Sequence, residues 1–71
     1  MIWIIDPKRE ESYQIIGINT HVKDGVTQLW GTKPSSKTVL LMQDEDEELI
    51  TDYADAINYA IHQGSNTFTI K

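Results

Sequence analysis

The residue types that most often carry chemistry are few and scattered in this chain. It has two histidines, His21 and His62, and no cysteine, which excludes disulfides, thiolate metal sites and cysteine nucleophiles. The serines fall in predicted loops without a nearby base, and the glycines are isolated rather than grouped into a phosphate- or dinucleotide-binding loop. We therefore expect solvated histidines and predict no metal site, no cofactor and no enzyme activity.

Carboxylates are the one chemically active type that is concentrated in a single place. Seven of the eleven acids lie in the range 44–55, which contains none of the six bases. This segment carries a charge of −7, whereas the other 59 residues carry six bases and four acids, a net charge of +2. The overall charge of −5 argues against direct binding of nucleic acid, because proteins that contact phosphates need basic surface.

The acidic segment coincides with a change to helical periodicity. Asp44 and Glu47 have the spacing of a capping box, and acids in a first turn complement the positive N-terminus of a helix. Gly64 is placed to end the helix. Apolar residues between these limits recur at helical intervals. The predicted buried stripe consists of Leu49, Ile50, Tyr53, Ala54, Ile57, Ala60 and Ile61.

At about 100° per residue, one row of acids lies directly opposite the apolar stripe. The row consists of Glu45, Glu48, Asp52 and Asp55, and Tyr59 continues it by one turn. Lysines in such a row would gain i, i+4 pairs, whereas these acids repel one another. Two interpretations are open: a solvated face that complements the helix dipole, or a surface that docks against a basic groove with Tyr59 as its apolar contact. For Tyr59, packing onto a sheet edge or a loop is the alternative to exposure.

Short β-rich runs precede the helix, and one follows it. The predicted strands are 2–5, 13–22, 26–30, 38–42 and 66–71. The first is apolar at every position, which predicts a strand covered on both faces with Trp3 in the core. The order is therefore β-β-β-β-α-β.

The pair Asp24-Gly25 predicts a two-residue hairpin turn between the second and third strands. The resulting register pairs Lys23 with Val26, His21 with Gln28 and Asn19 with Trp30. The opposite face is the predicted core face and carries Ile18, Thr20, Val22, Thr27 and Leu29. An exposed Trp30 beside His21 would be a binding anchor, whereas a slip of one residue in the register would make Trp30 ordinary core.

These elements predict an α+β fold and a single domain spanning 1–71. The short strand–helix–strand spacing favours a crossover that makes the last strand parallel to a neighbour. We predict a single mixed, mainly antiparallel sheet of about five strands with one helix packed on one face. Because a chain of this size buries only about 60% of its surface, the other face is left for Trp3, Trp30 and Tyr13, or for a second copy of the chain.

The longest apolar run, 1–5, is far shorter than the roughly 20 residues of a membrane-spanning helix. It is also too short for the core of a signal peptide. We expect a soluble cytoplasmic protein without membrane contact, encoded by a complete small open reading frame.

The second half of the chain has a pattern of its own. The segment 37–42, the acids that follow it, the helix over 53–61 and the run from Gly64 to Ile70 resemble the C-terminal pattern of small uncharacterised domains of Gram-positive bacteria and their phages. In those domains strand pairs are followed by a strand, an acid-capped helix and a closing strand. The resemblance covers about half of the chain; it implies a bacterial or phage accessory protein and no activity, cofactor or site residue.

The observations together favour a small, acidic, non-enzymatic protein that binds another protein. The candidate binding residues are Glu45, Glu48, Asp52, Asp55, Tyr59, Trp30 and His21. Two alternatives stay open: an inhibitor whose carboxylates imitate nucleic-acid phosphates, and a structural subunit that self-assembles through sheet edges, in the simplest case as a homodimer.

Overall fold

Two three-stranded sheets and one helix make up the fold, and the computed structural model describes all 71 residues. The elements are β1 (Ile2–Asp6), β2 (Glu11–Ile15), β3 (Gly17–Lys23), β4 (Val26–Thr32), β5 (Thr38–Asp44), α1 (Glu47–His62) and β6 (Thr67–Thr69). Sheet A has the strand order β2-β1-β6, and sheet B has the order β3-β4-β5. The α+β class is confirmed, whereas the prediction of one sheet of about five strands is wrong.

The single-sheet prediction fails at Ile16. The stretch predicted as one strand, 13–22, is divided there, so that β2 pairs with β1 and β3 pairs with β4. The Ile16 amide donates to the Thr32 carbonyl at 2.8 Å, which leads the chain from sheet A into sheet B without a loop. The side chain of Ile15 packs closely against Gly31: a Cβ at position 31 would lie 2.8 Å from Ile15 Cγ2. The absence of a side chain at Gly31 therefore leaves room for Ile15.

Sheet A has β1 as its central strand. β1 is antiparallel to β2 and parallel to β6, which confirms that the last strand runs parallel to a neighbour. Burial alternates along β1: Ile2, Ile4 and Asp6 are buried, but Trp3 is 45% exposed. The prediction that this strand is covered on both faces, with Trp3 in the core, is therefore wrong. The core covers only one face of sheet A.

Sheet B contains the predicted hairpin in the predicted register. Along β4, burial alternates, and Thr27, Leu29 and Gly31 face the core. Thr20 and Val22, which were predicted to share this core face, are exposed. Burial along β3 ends after Ile18: Gly17 and Ile18 are half-buried, and every residue in the range 19–23 is exposed, so the rest of the strand lies outside the core.

The hydrophobic core lies where both sheets meet α1. Its buried members are Ile2, Ile4, Ile15, Leu29, Leu41, Ile50, Ala54, Ile57 and Ile70. The helix supplies the centre of its predicted apolar stripe, while Leu49 at the margin of that stripe is 41% exposed. Because residues of both sheets belong to one cluster, the sheets and the helix depend on one another for burial.

The end of α1 is the one predicted from Gly64. This glycine has a φ of +74°, a left-handed conformation that favours a residue without a Cβ. Its amide donates to the Ile61 carbonyl at 3.1 Å, and the Ser65 amide donates to the Ala60 carbonyl at 3.0 Å, which together form a Schellman motif. No helix in the structure combines the length and the apolarity that crossing a membrane requires.

Candidate functional site

The N-terminus of α1 is positioned by two aspartates in succession. Asp46 is the N-cap, and its Oδ1 accepts from the amides of Glu48 at 3.1 Å and Leu49 at 3.4 Å. Asp44 Oδ1 accepts from the Asp46 amide at 2.8 Å. The predicted capping box of Asp44 and Glu47 is therefore wrong. Asp44 is still paired with β4 as the last residue of β5, so the helix cannot begin until two residues later.

This start divides the predicted row of acids between a loop and the helix. Glu45 precedes the N-cap and lies outside α1, contrary to its predicted place on the helix face. Glu48, Asp52 and Asp55 lie on α1, and all three are exposed. Tyr59 follows one turn after Asp55 and is 68% exposed. We call the surface of these four helical residues the acidic face.

No cation compensates the acidic face. The structure contains two ion pairs, and both belong to Arg9: one with Glu11 at 3.3 Å and one with Asp6 at 4.0 Å. Every carboxylate of the acidic face is therefore free of a basic partner, although α1 itself carries one titratable base in its last turn, His62. The charge of this helix is directed to solvent rather than used in internal pairing.

Three of the six bases gather elsewhere on the molecule. Lys8, Arg9 and Lys71 line an open cleft of about 530 Å³ between the edge of β5 and the end of sheet A. The half-buried and buried side chains of Leu41, Met42 and Ile70 also line this cleft. Asp6, which pairs with Arg9, lines the cleft as well, and none of the residues that line it belongs to α1.

A small apolar groove lies directly beside the acidic face. It has a volume of about 180 Å³ and is lined by Leu49, Asp52, Tyr53 and Ala56 of α1 and by Phe68 of β6. The rings of Tyr53 and Phe68 meet edge to face, with centroids 6.4 Å apart. We call this pocket the helix groove. Since Asp52 belongs both to the helix groove and to the acidic face, the two surfaces are continuous, and we call the acids Glu48, Asp52 and Asp55 the acidic rim of the groove.

The second candidate region, Trp30 with His21, lies on the outer face of sheet B. His21 pairs with Gln28 as predicted, and His21 is exposed. Trp30 is half-buried, and its indole N–H donates to Gln28 Oε1 at 3.1 Å. Gln28 in turn donates to Gln43 at 3.1 Å. These hydrogen bonds hold the indole ring of Trp30. Trp30 is therefore less exposed than the binding anchor that the sequence offered as one alternative.

Trp3 is the exposed aromatic residue that the sequence analysis missed. It projects from the outer face of sheet A, between Gln14 of β2 and Thr67 of β6. Met1, directly before β1, is 65% exposed, and Ile16, directly after β2, is 49% exposed. The one signal in the sequence was the alternation of polar and apolar residues in the neighbouring β2, where Tyr13 and Ile15 alternate with polar residues. This pattern indicates a sheet with one face open to solvent.

One cluster of titratable side chains lies apart from the acidic face. The Tyr13 hydroxyl donates to the Glu11 carboxylate, and Arg9 pairs with the same carboxylate. The hydrogen bond to Glu11 is the main cause of a raised pKa of Tyr13, with partial desolvation and the negative charge of Glu11 acting in the same direction. No group of three or more histidines and acids is arranged to hold a metal ion.

Comparison of the chain with protein-family models, with curated proteins and with solved structures finds no match. The resemblance to small bacterial and phage domains accordingly stays a prediction.

Proposed function

We propose that this chain is a non-enzymatic binding protein that docks its acidic face against a basic surface of another protein. The observation that carries the proposal is the set of exposed carboxylates at Glu48, Asp52 and Asp55, none of which has a basic partner within the chain. Charge of one sign on one face steers a complementary partner and raises the rate of encounter. The role of the helix is to hold these carboxylates in a fixed row.

Tyr59 supports docking rather than simple solvation. Its side chain is 68% exposed and lies one turn beyond Asp55 on the same face. A tyrosine at the end of a row of charges provides apolar area for the centre of an interface, with a hydroxyl that can be satisfied at the rim. The acidic face therefore offers both long-range attraction and a short-range contact.

The test compares two variants with the same net charge. The first neutralises the acidic face with Glu48→Gln, Asp52→Asn and Asp55→Asn. The second adds three lysines at exposed positions elsewhere, with Thr20→Lys, Ser35→Lys and Thr38→Lys. The partner is captured from host extract with the native chain, and its affinity for each purified variant is measured by calorimetry at low and moderate salt.

We expect the neutralised variant to bind about tenfold more weakly, since three exposed pairs at about 0.5 kcal/mol each amount to about 1.5 kcal/mol. The variant with added lysines should stay within about twofold of the native affinity. Equal weakening of both variants would assign the effect to net charge, and unchanged binding of the neutralised variant would refute the proposal. Displacement of the partner by DNA or RNA would support the narrower alternative, in which the carboxylates imitate phosphates.

A structural role through self-association is the second candidate, and the exposure of Trp3 at 45% favours it. Large apolar side chains on an uncovered sheet face are a common basis of interfaces between copies of a chain. Sedimentation over a range of concentrations separates this candidate from the first. A dimer that dissociates on Trp3→Gln would support it, and a monomer at all concentrations would exclude it.

A further inference from the structure

The helix groove has room for one side chain. Its volume is about 180 Å³, and an apolar cavity of about 150 Å³ is enough for a group the size of benzene. Small-molecule and cofactor sites are larger, at about 300–1,000 Å³. The dimensions therefore fit a single large aliphatic or aromatic side chain that belongs to a longer partner.

Contacts within the chain hold two of the residues that form the walls of the groove. Tyr53 meets Phe68 edge to face, and its hydroxyl donates to the Lys71 carbonyl at 3.3 Å. Leu49, at the margin of the buried stripe, is 41% exposed. Filling the groove would cover this apolar surface without rearranging the helix or β6.

An open strand edge lies next to the groove. β6 pairs with β1 on one side only. The Trp3 amide donates to the Asn66 carbonyl at 2.9 Å, and the Ile70 amide donates to the Ile5 carbonyl at 2.9 Å. In a parallel ladder with these bonds, alternate residues direct their amides to opposite sides. The backbone N–H and C=O groups of Thr67 and Thr69 therefore point away from β1, toward the free edge.

The charge beside the groove selects the partner. Asp52 lines the groove itself, and Glu48 and Asp55 lie one turn to either side of it on the acidic face. A strand added at the edge of β6 would turn alternate side chains toward α1, one of them into the groove. The residues that flank this apolar anchor would lie against carboxylates, so lysine or arginine is favoured there.

From these features we infer that the helix groove binds an extended, basic segment of a partner protein. The segment pairs with the free edge of β6, places one large apolar side chain between Leu49, Ala56 and Phe68, and neutralises the acidic rim with flanking cations. This inference rests on the proposed function and specifies it, since it gives the partner a conformation and an anchor residue.

The experiment uses the full chain and defined synthetic probes. One capped peptide alternates lysine and threonine around a central phenylalanine, a second has serine in the centre, and a third has glutamate in place of every lysine. Binding is followed by NMR titration, with amide hydrogen exchange at Thr67 and Thr69 as the readout of strand pairing. Ala56→Phe fills the groove, and Asn58→Phe places the same side chain on an exposed position of α1 outside it.

We expect the phenylalanine peptide to bind at least about tenfold more tightly than the serine peptide, because only the phenylalanine side chain buries a large apolar area in the groove. Ala56→Phe should abolish this difference, Asn58→Phe should preserve it, and both threonine amides should exchange more slowly in the complex.

Three outcomes would overturn the inference in distinguishable ways. If the phenylalanine and serine peptides bind equally and Ala56→Phe has no effect, binding in the groove is refuted, but docking by the acidic face is not. If the glutamate peptide binds as tightly as the phenylalanine peptide with lysines, both the inference about the groove and the proposed docking of the acidic face are refuted. Dimerisation of the native chain that is lost with Ala56→Phe would identify a second copy, rather than a basic partner, as the occupant.

Discussion

Arg9, Glu11 and Tyr13 form a polar cluster in which one carboxylate serves two partners. The Tyr13 hydroxyl and the Arg9 guanidinium both bind the Glu11 side chain, and Lys33 lies over the Tyr13 ring at 5.4 Å. Removing the tyrosine proton would place a phenolate against the Glu11 carboxylate. The cluster therefore favours the neutral tyrosine, and the positive charge of Arg9 only partly offsets this preference.

The first prediction concerns the titration of this tyrosine. The pKa of Tyr13 is raised above its ordinary value of 10.0, chiefly by its hydrogen bond to Glu11. Glu11→Gln removes the charge but keeps a side chain of the same length, so the pKa of Tyr13 should fall toward the ordinary value. NMR titration of the Tyr13 ring in the native chain and in Glu11→Gln measures the change.

The same shift has a consequence for stability against pH. Because the pKa of Tyr13 is higher in the folded chain than in the unfolded chain, the stabilising contribution is complete below the unfolded pKa near 10.0 and is lost as pH rises through the folded value. The native chain should thus lose more stability on alkaline titration than Glu11→Gln. Identical alkaline profiles for the two proteins would contradict the assignment of Glu11 as the cause.

At the scale of elements, the position of the acidic face depends on where α1 begins. Periodicity alone predicted Glu48, Asp52, Asp55 and Tyr59 on one face opposite the apolar stripe, because a rotation of about 100° per residue is a local property of the helix; it left the exposure of Tyr59 open. Glu45 could not be placed correctly by the same rule. Its position depends on how far β5 remains paired with β4, which is set by contacts between distant parts of the chain.

The helix groove was beyond sequence reasoning for a related reason. Leu49 and Tyr53 were assigned to the buried stripe because their spacing fits it. Leu49 is partly exposed beside Phe68 because of where β6 lies relative to α1. The position of β6 is set in turn by its pairing with β1. Spacing within one helix contains no information on such a neighbour.

The second prediction tests which aspartate caps α1. Asp46→Ala removes the side chain that accepts from Glu48 and Leu49 and should lower the free energy of unfolding by about 1 kcal/mol. Glu45→Ala, which removes a neighbouring acid without any side-chain hydrogen bond to the helix, should have little effect. Urea denaturation followed by circular dichroism measures both variants. A larger loss with Asp44→Ala than with Asp46→Ala would restore the cap to the position predicted from the sequence.

For the whole molecule, the decisive feature is the passage from sheet A to sheet B at Ile16. The hairpin at Asp24 and Gly25 was predictable because a two-residue turn and its register are local. The division of 13–22 into two strands was not, since the stretch is β-rich throughout and contains no turn signal between Ile15 and Gly17. At the division, the Ile16 amide donates to the Thr32 carbonyl and Ile15 packs against Gly31, and both contacts join residues that are far apart in sequence.

The final prediction follows from the packing of Ile15 against Gly31. Gly31→Ala places a methyl group 2.8 Å from Ile15 Cγ2 and 3.3 Å from Leu41 Cδ1. Ile15 is fully buried and branched at Cβ, so it cannot turn aside without moving its strand. Overpacking of this kind costs about 1–3 kcal/mol, and we expect a loss of that size in urea denaturation.

Gly17→Ala is the matched control, because a Cβ at Gly17 meets no atom within 4 Å. Since the two sheets share one core, Gly31→Ala should speed hydrogen exchange of β1 and β4 amides to the same extent. Faster exchange confined to sheet B would show that the sheets open independently, and equal stability of the two alanine variants would show that the approach of Ile15 to Gly31 does not constrain the fold.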